Sequence, residues 1–209
     1  MSATGRVAIA VLGLALGGCA LLSKSHSVEL RYFTAEPAPP AIVAAAPSGL
    51  RLRLGRIAAA AYLKDRIAFR AAPSEIGYYG TLRWAEPPDA YLRRAMARAL
   101  FAARPLQEIV SGGGPELELD LEAFEELRVP RHAARVTLTW RLRDDRAVVR
   151  QATVVIDVPI AEGDGRALGN AVAAAMATAL GDAVERVVVD VVATMARPAP
   201  SDQAASAAP

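Results

Sequence analysis

The most reactive side chain in this 209-residue sequence is the thiol of Cys19, the only cysteine. Cys19 follows a short apolar run, residues 7–18, which comes after a single early charge at Arg6. At about 1.5 Å per residue this run is too short for the ~30 Å hydrocarbon core of a bilayer, so a secretory signal peptide is favoured over a transmembrane helix. The small residues Gly17 and Gly18 would give a cleaving peptidase access to the backbone.

The run Leu16-Gly17-Gly18-Cys19 resembles the lipobox of bacterial lipoproteins. We therefore expect cleavage between Gly18 and Cys19, a diacylglycerol on the thiol and an N-acyl chain on the new terminus; the alternative is a signal peptide that happens to contain a cysteine. At ~0.8 kcal/mol per buried CH₂, several acyl chains would anchor the protein permanently. Ala20 stands where an aspartate would favour retention in the inner membrane, so we expect the outer membrane, with the protein facing the periplasm.

The histidines and paired carboxylates do not form a recognisable site. His26 and His132 have no second His or Cys at ligand spacing, so no metal site is predicted. Glu125-Glu126 lie at a strand end, where adjacent side chains point to opposite faces and do not converge as an acid–base pair. Asp144-Asp145 lie in a turn. We expect both carboxylate pairs to be solvated.

The glycine-rich run Ser111-Gly112-Gly113-Gly114 lacks the GK[ST] ending of a phosphate loop, and a flexible connection between strands is favoured. No serine lies in a nucleophile elbow. The sequence therefore predicts no catalytic residue, no cofactor other than the acyl chains, and a protein that is not an enzyme.

The formal net charge of +2 falls to +1 once residues 1–18 and their single charge, Arg6, are removed. A nearly neutral chain gives no reason to expect nucleic acid as a partner. With its one cysteine acylated, the mature chain can form no disulfide. We predict a signal peptide over 1–18, a lipidated tether over 19–27, a single domain over 28–197 and a disordered tail over 198–209.

Alternation of apolar and polar residues indicates strands at 50–54, 116–121, 135–143 and 151–158, the last three forming an antiparallel meander with one solvated face. A further short strand is expected within 28–34, followed by a long loop over 37–48. Helical spacing of apolar residues indicates helices over about 87–103 and 166–196, with Asp164 as the N-cap of the second.

The segment from Tyr62 to Pro88 holds five of the eleven aromatic residues of the chain, interleaved with charges. One interpretation is a corner of the core where aromatic rings fill space. The other is a partly exposed rim that binds a partner, because Tyr, Trp and Arg supply large contact areas and cation–π contacts. Residue types alone do not decide between the two.

The same segment resembles the signature of the ABC-type transport auxiliary lipoproteins, the PqiC-like proteins. Three runs carry the resemblance: residues 62–70 (YLKDRIAFR), 75–79 (EIGYY) and 83–88 (RWAEPP). The order of lipobox, first strand, Pro/Ala loop, meander and alanine-rich final helix agrees along the mature chain. The resemblance implies an α/β (α+β) sandwich with a mixed, largely antiparallel sheet and two main helices, similar to the N-terminal domain of TolB.

What the resemblance implies for function is an auxiliary subunit, without enzymatic activity, of an envelope lipid-transport system. Its partners would be an ABC permease and ATPase and a substrate-binding protein of the mammalian-cell-entry (MCE) type, and a homo-oligomer would be compatible with a multimeric MCE partner. The motif suggests Tyr78, Tyr79, Arg83 and Trp84 as part of the contact surface. Two alternatives stay open: an assembly or activator lipoprotein of the envelope, and a lipoprotein that itself carries a lipid.

Overall fold

The fold is described from a computed structural model over residues 29–42, 49–104, 106–145 and 147–197. The strands in this part of the chain are β1 (Arg31–Phe33), β2 (Arg51–Ala59), β3 (Arg66–Ala72), β4 (Glu75–Trp84), β5 (Gln107–Glu108), β6 (Glu116–Leu127), β7 (Ala133–Arg143) and β8 (Val148–Pro159). The helices are α1 (Pro88–Ala97), which continues as a π-helical turn over Arg98–Ala102, and α2 (Gly165–Met195). The predicted signal peptide, tether and tail lie outside the described residues.

The strands form one mixed sheet in which the order β1-β4-β3-β6-β7-β8 runs from edge to edge. The long pairs β6–β7 and β7–β8 are antiparallel, as is β3–β4. Strand β6 is central: β7 follows one of its edges throughout, β2 pairs in parallel with its first half and β3 with its last three residues. The predicted mixed, largely antiparallel sheet with two main helices is confirmed.

The meander β6–β7–β8 is the part of the fold that its sequence specifies most directly. Apolar residues at every second position, such as Leu119 and Trp140, are fully buried on the face that the helices cover. On the other face Glu118 lies opposite Arg141, and Arg141 Nη1 is 2.7 Å from Asp120 Oδ2. The acidic face of β6 therefore lies beside the basic face of β7.

The two helices pack against this sheet through small and branched side chains. Pro88 occupies the first turn of α1, where its missing N–H costs no hydrogen bond. Helix α2 agrees with the prediction within one residue at each end, and its alanines and valines lie against β7 and β8. Asp164 is the N-cap residue of α2, as predicted, although its side chain makes no capping hydrogen bond. In the part of the chain that the structure describes, the helices lack the combined length and apolar character of a membrane-spanning segment.

Candidate functional site

The segment that carries the signature folds as the hairpin of β3 and β4, which alternation alone did not predict. Its turn is Pro73-Ser74, two residues that favour turns. Strand β3 lies between β4 and the end of β6, with Ala68 opposite Glu125 and Phe69 opposite Glu126. The hairpin therefore lies directly beside the two adjacent carboxylates.

Those carboxylates are buried, contrary to the prediction that they would be solvated. Glu125 is 1% and Glu126 2% exposed. A register shift between Leu121 and Ala123 interrupts the alternation of β6, and the strand then continues into a stretch that is buried on both faces. Because adjacent residues of a strand point to opposite faces, the two side chains enter two separate networks. The other pair, Asp144-Asp145, is exposed in its turn as predicted.

Glu125 is bound by an arginine and a tyrosine. Arg70 donates to it from Nε at 2.5 Å and from Nη2 at 3.1 Å, and the hydroxyl of Tyr62 donates at 3.0 Å. The hydroxyl of Tyr78 donates in turn to the backbone carbonyl of Tyr62 at 3.2 Å. Burial, and then the charge of Glu125, raise the pKa of Tyr62 well above its usual range, so this phenol stays a hydrogen-bond donor. The hydrogen bond to Glu125 raises the pKa of Arg70.

Glu126 joins a second set of partners. The hydroxyl of Tyr79 donates to Oε2 at 2.5 Å, while His132 Nε2 at 2.9 Å and Arg128 Nε at 3.3 Å lie beside Oε1. Burial, reinforced by the hydrogen bond to Glu126, raises the pKa of Tyr79 to about 12. Tyr79 is therefore a neutral donor at any physiological pH. Together the two carboxylates fix the hairpin to β6 and to the loop that follows it.

A stack of planar groups lies over the same hairpin. The ring of Phe69 crosses Gly77, where a Cβ atom would overlap the ring. The guanidinium carbon of Arg128 lies 3.4 Å from the centroid of Phe69, and Tyr79 meets Phe69 edge-on at 5.5 Å. Gly77 is thus required by the close approach of Phe69, and the arginine covers the ring from outside.

The structure separates the four residues suggested as contacts. Tyr78 and Tyr79 are partly exposed, and the side chain of Arg83 is 14% exposed, with Nη1 donating to the carbonyls of Tyr79 and Leu82. Trp84 is different, because only 1% of it is exposed. Its ring meets those of Phe124 at 5.3 Å and Tyr91 at 6.4 Å, so Trp84 belongs to the core and cannot touch a partner in this fold.

The arrangement is suited to holding a rigid surface. Each buried carboxylate has side-chain hydrogen-bond partners, and the phenols of Tyr62 and Tyr79 stay protonated. The carboxylates and phenols therefore hold the hairpin in place. Within the described ranges, no three His, Cys, Asp or Glu side chains are grouped to hold a metal ion. Facing solvent beside this framework, the guanidinium of Arg66 lies 4.8 Å from the ring centroid of Tyr78.

Sequence reasoning missed Glu125, Glu126, Arg128 and His132 as members of the site. One signal was available: Ala123 and Phe124 are consecutive apolar residues, which break the alternation of β6 just before the carboxylates. Such a break indicates a bulge, and a bulge changes which face the following residues occupy.

Solved structures share this architecture. A crystal structure of a Xanthomonas campestris protein aligns over 78% of this chain and 95% of its own length, with 23% identity and a TM-score of 0.68. An uncharacterized protein aligns over 78% and 99%, with 13% identity and a TM-score of 0.60. A hypothetical protein from Chlamydia trachomatis aligns over 70% and 98%, with 10% identity and a TM-score of 0.50. At these identities the similarity shows the fold alone.

No curated protein sequence matches the chain. The sequence model of the ABC-type transport auxiliary lipoprotein component, however, matches residues 32–192, a span that runs from β1 into the last turns of α2. The match includes the whole β3–β4 hairpin, both buried carboxylates and the meander. Because it spans most of the chain, it extends the resemblance of the hairpin motif to the complete fold, and this chain belongs to the family of ABC-type transport auxiliary lipoprotein components.

Proposed function

We propose that this protein is the lipid-anchored docking subunit of an MCE-type ABC lipid-transport system that maintains the outer membrane. The observation that carries the proposal is the β3–β4 hairpin, whose family signature is held in place by two buried, charged networks while Tyr78 and Arg66 remain in contact with solvent. A surface ordered before binding loses little side-chain entropy when a partner docks. Family membership supports the link to ABC transport.

The anchor supplies the second half of the proposal. Acyl chains on Cys19 would hold the domain at the periplasmic face of the outer membrane, where it meets the far end of an MCE assembly whose permease and ATPase lie in the inner membrane. Docking of this kind needs no chemistry at the site. It needs a fixed surface at a fixed place, which the hairpin and the anchor would provide together.

The test is a crosslinked affinity purification of the full-length protein from bacterial envelopes. Three variants are compared with the unmodified chain: Cys19→Ala, which removes the anchor; Tyr78→Ala, which removes a partly exposed ring of the hairpin; and Val155→Ala, a matched truncation at a residue of β8 that is 54% exposed. We expect an MCE protein and ABC subunits to be recovered with the unmodified chain and Val155→Ala, and to be reduced with Cys19→Ala and Tyr78→Ala.

Recovery of a cell-wall enzyme or secretion component in place of transport subunits would refute the proposal and support the assembly alternative. Lipid retained by the purified domain after delipidation, with no transport subunit recovered, would support the lipid-carrying alternative. Equal recovery with Tyr78→Ala and Val155→Ala would show that the hairpin is not the docking surface.

A further inference from the structure

The corner of the hairpin at Arg66 carries an unusual concentration of positive charge. In the β3–β4 ladder Arg66 lies directly opposite Arg83, and such like-charged pairs are destabilising unless a counter-charge compensates. The carboxylate near them is Asp65, 3.6 Å from Arg83 Nε and itself 64% exposed. Lys64 adds a further exposed cation. Three cations and one carboxylate therefore give this corner a net positive charge.

Arg66 is the member of this group that is available to a ligand. Among the described residues, its guanidinium lies 4.8 Å from the ring centroid of Tyr78 and forms no ion pair. A guanidinium stacked on an aromatic ring keeps its edge, and hence its paired N–H donors, free to bind a carboxylate in the bidentate manner. The hydroxyl of Tyr78 donates a hydrogen bond to the Tyr62 carbonyl, so the ring under the guanidinium of Arg66 is held in one orientation.

Two residues after Tyr78, strand β4 leaves room for a second contact. Gly80 is exposed, and no heavy atom lies within 4 Å of the place where its side chain would begin. An apolar side chain from a partner could lie against the bare backbone of Gly80, much as Phe69 lies over Gly77 within the hairpin itself. A cation over Tyr78 and an open position two residues further along β4 suit a single carboxylate followed or preceded by an apolar residue.

We propose that the corner formed by Lys64, Arg66, Tyr78 and Gly80 binds an acidic segment of a protein partner, with an Asp or Glu side chain on Arg66 and a neighbouring apolar side chain on Gly80. A phospholipid surface fits less well, because attraction to anionic membranes takes clusters of four to eight basic residues and this corner also presents Asp65. The inference rests on the proposed docking function and specifies the chemistry of the partner.

The test places a photo-crosslinking benzoylphenylalanine at the exposed residue Ala61, next to Tyr62, in the full-length protein, so that Gly80 stays free; the protein is irradiated in intact envelopes. Arg66→Glu and Arg66→Gln are introduced on this background. Arg186→Glu and Arg186→Gln, at an exposed arginine of α2, are the matched controls for the change in net charge. We expect one protein adduct whose crosslinked peptide contains an Asp or Glu within a few residues. A loss of about 1.4 kcal/mol would lower its yield roughly tenfold with Arg66→Glu; Arg66→Gln should lower it less, and the Arg186 variants not at all.

Equal yields for the Arg66 and Arg186 variants, a crosslinked peptide without acidic residues, or an adduct to lipid alone would each overturn the inference. The two proposals fail separately. If the captured protein is not a transport subunit but its adduct depends on Arg66, the proposed function fails and the acidic-segment site stands. If transport subunits are still recovered by affinity purification with Arg66→Glu, the site fails and the docking function stands.

Discussion

The ion pair between Arg70 and Glu125 gives a quantitative test of the supporting network. Glu125 is 1% exposed and Arg70 24% exposed, so the two charges are not equally able to reach water if they are separated. Replacing Arg70 by Met leaves a buried carboxylate with the hydroxyl of Tyr62 as its remaining donor. Loss of one partner of a buried pair typically costs about 3–5 kcal/mol, because the other charge stays uncompensated.

The reverse change is expected to be milder. In Glu125→Leu the guanidinium of Arg70 can turn toward solvent, and the Tyr62 hydroxyl still lies 3.1 Å from the backbone carbonyl of Glu122. We expect a loss of about 1–3 kcal/mol, the usual cost of removing one partner of a buried hydrogen bond. The double variant Arg70→Met/Glu125→Leu should be less destabilised than Arg70→Met alone, since apolar residues often replace a buried ion pair without net loss.

The assay is equilibrium urea denaturation of the mature, non-acylated chain carrying Cys19→Ala, followed by the fluorescence of Trp84 and Trp140. A domain of this size is stable by about 5–15 kcal/mol in total, so a loss of 3–5 kcal/mol moves the midpoint visibly. Losses that simply add in the double variant would refute the argument, because additivity means that the two side chains do not depend on each other. A loss below about 1 kcal/mol for Arg70→Met would show that water reaches Glu125.

Three further predictions concern neighbouring positions. Trp84→Ala should lower the free energy of unfolding by about 3–5 kcal/mol in thermal or urea denaturation, because it removes a buried ring; a melting point close to that of the unmodified chain would place Trp84 at the surface instead. Gly77→Val should cost about 1–3 kcal/mol through overlap with the facing aromatic ring, whereas Gly80→Val, which meets open space, should leave the melting temperature unchanged; equal effects would contradict the stacked geometry. Because the pKa of Tyr79 is raised to about 12 in the fold, its contribution to stability is complete below pH ~10, the pKa of an unfolded tyrosine, and declines as pH rises through about 12. Tyr79→Phe should therefore flatten the alkaline fall in the free energy of unfolding, and an unchanged slope would refute this assignment.

The parts of the fold that were predictable from sequence are those whose periodicity is uninterrupted. The first half of β6, together with β7 and β8, alternates because one face is buried and the other is solvated, and α2 keeps helical spacing over its whole length. The hairpin of β3 and β4 has no such periodic pattern of apolar residues. Its aromatic rings lie on both faces, its glycines contribute no side chain to the pattern, and a wide irregularity separates Arg66 from Ala68 in the pairing.

The burial of Trp84 and of the two carboxylates depends on residues far away in sequence. Arg70 reaches Glu125 across 55 residues, and Tyr79 reaches Glu126 across 47. No local pattern distinguishes a glutamate that meets such a partner from one that is solvated at a strand end. In the same way, the sequence around Trp84 is compatible with a core corner and with a binding rim. The contacts of Trp84 with Phe124 and Tyr91 show that it lies in the core.

Glu125 and Glu126 obey the geometry on which the prediction rested, yet both are buried. Adjacent strand residues do point to opposite faces, and this does prevent the two carboxylates from acting as one acid–base pair. The same geometry allows each carboxylate to hold a different part of the hairpin, one through Arg70 and the other through Tyr79. A hairpin fixed by charged hydrogen bonds on both faces cannot slide or twist without breaking one set of them, each worth more than a neutral bond. The exposed residues Arg66 and Tyr78 are therefore held in a defined orientation, as a docking surface requires.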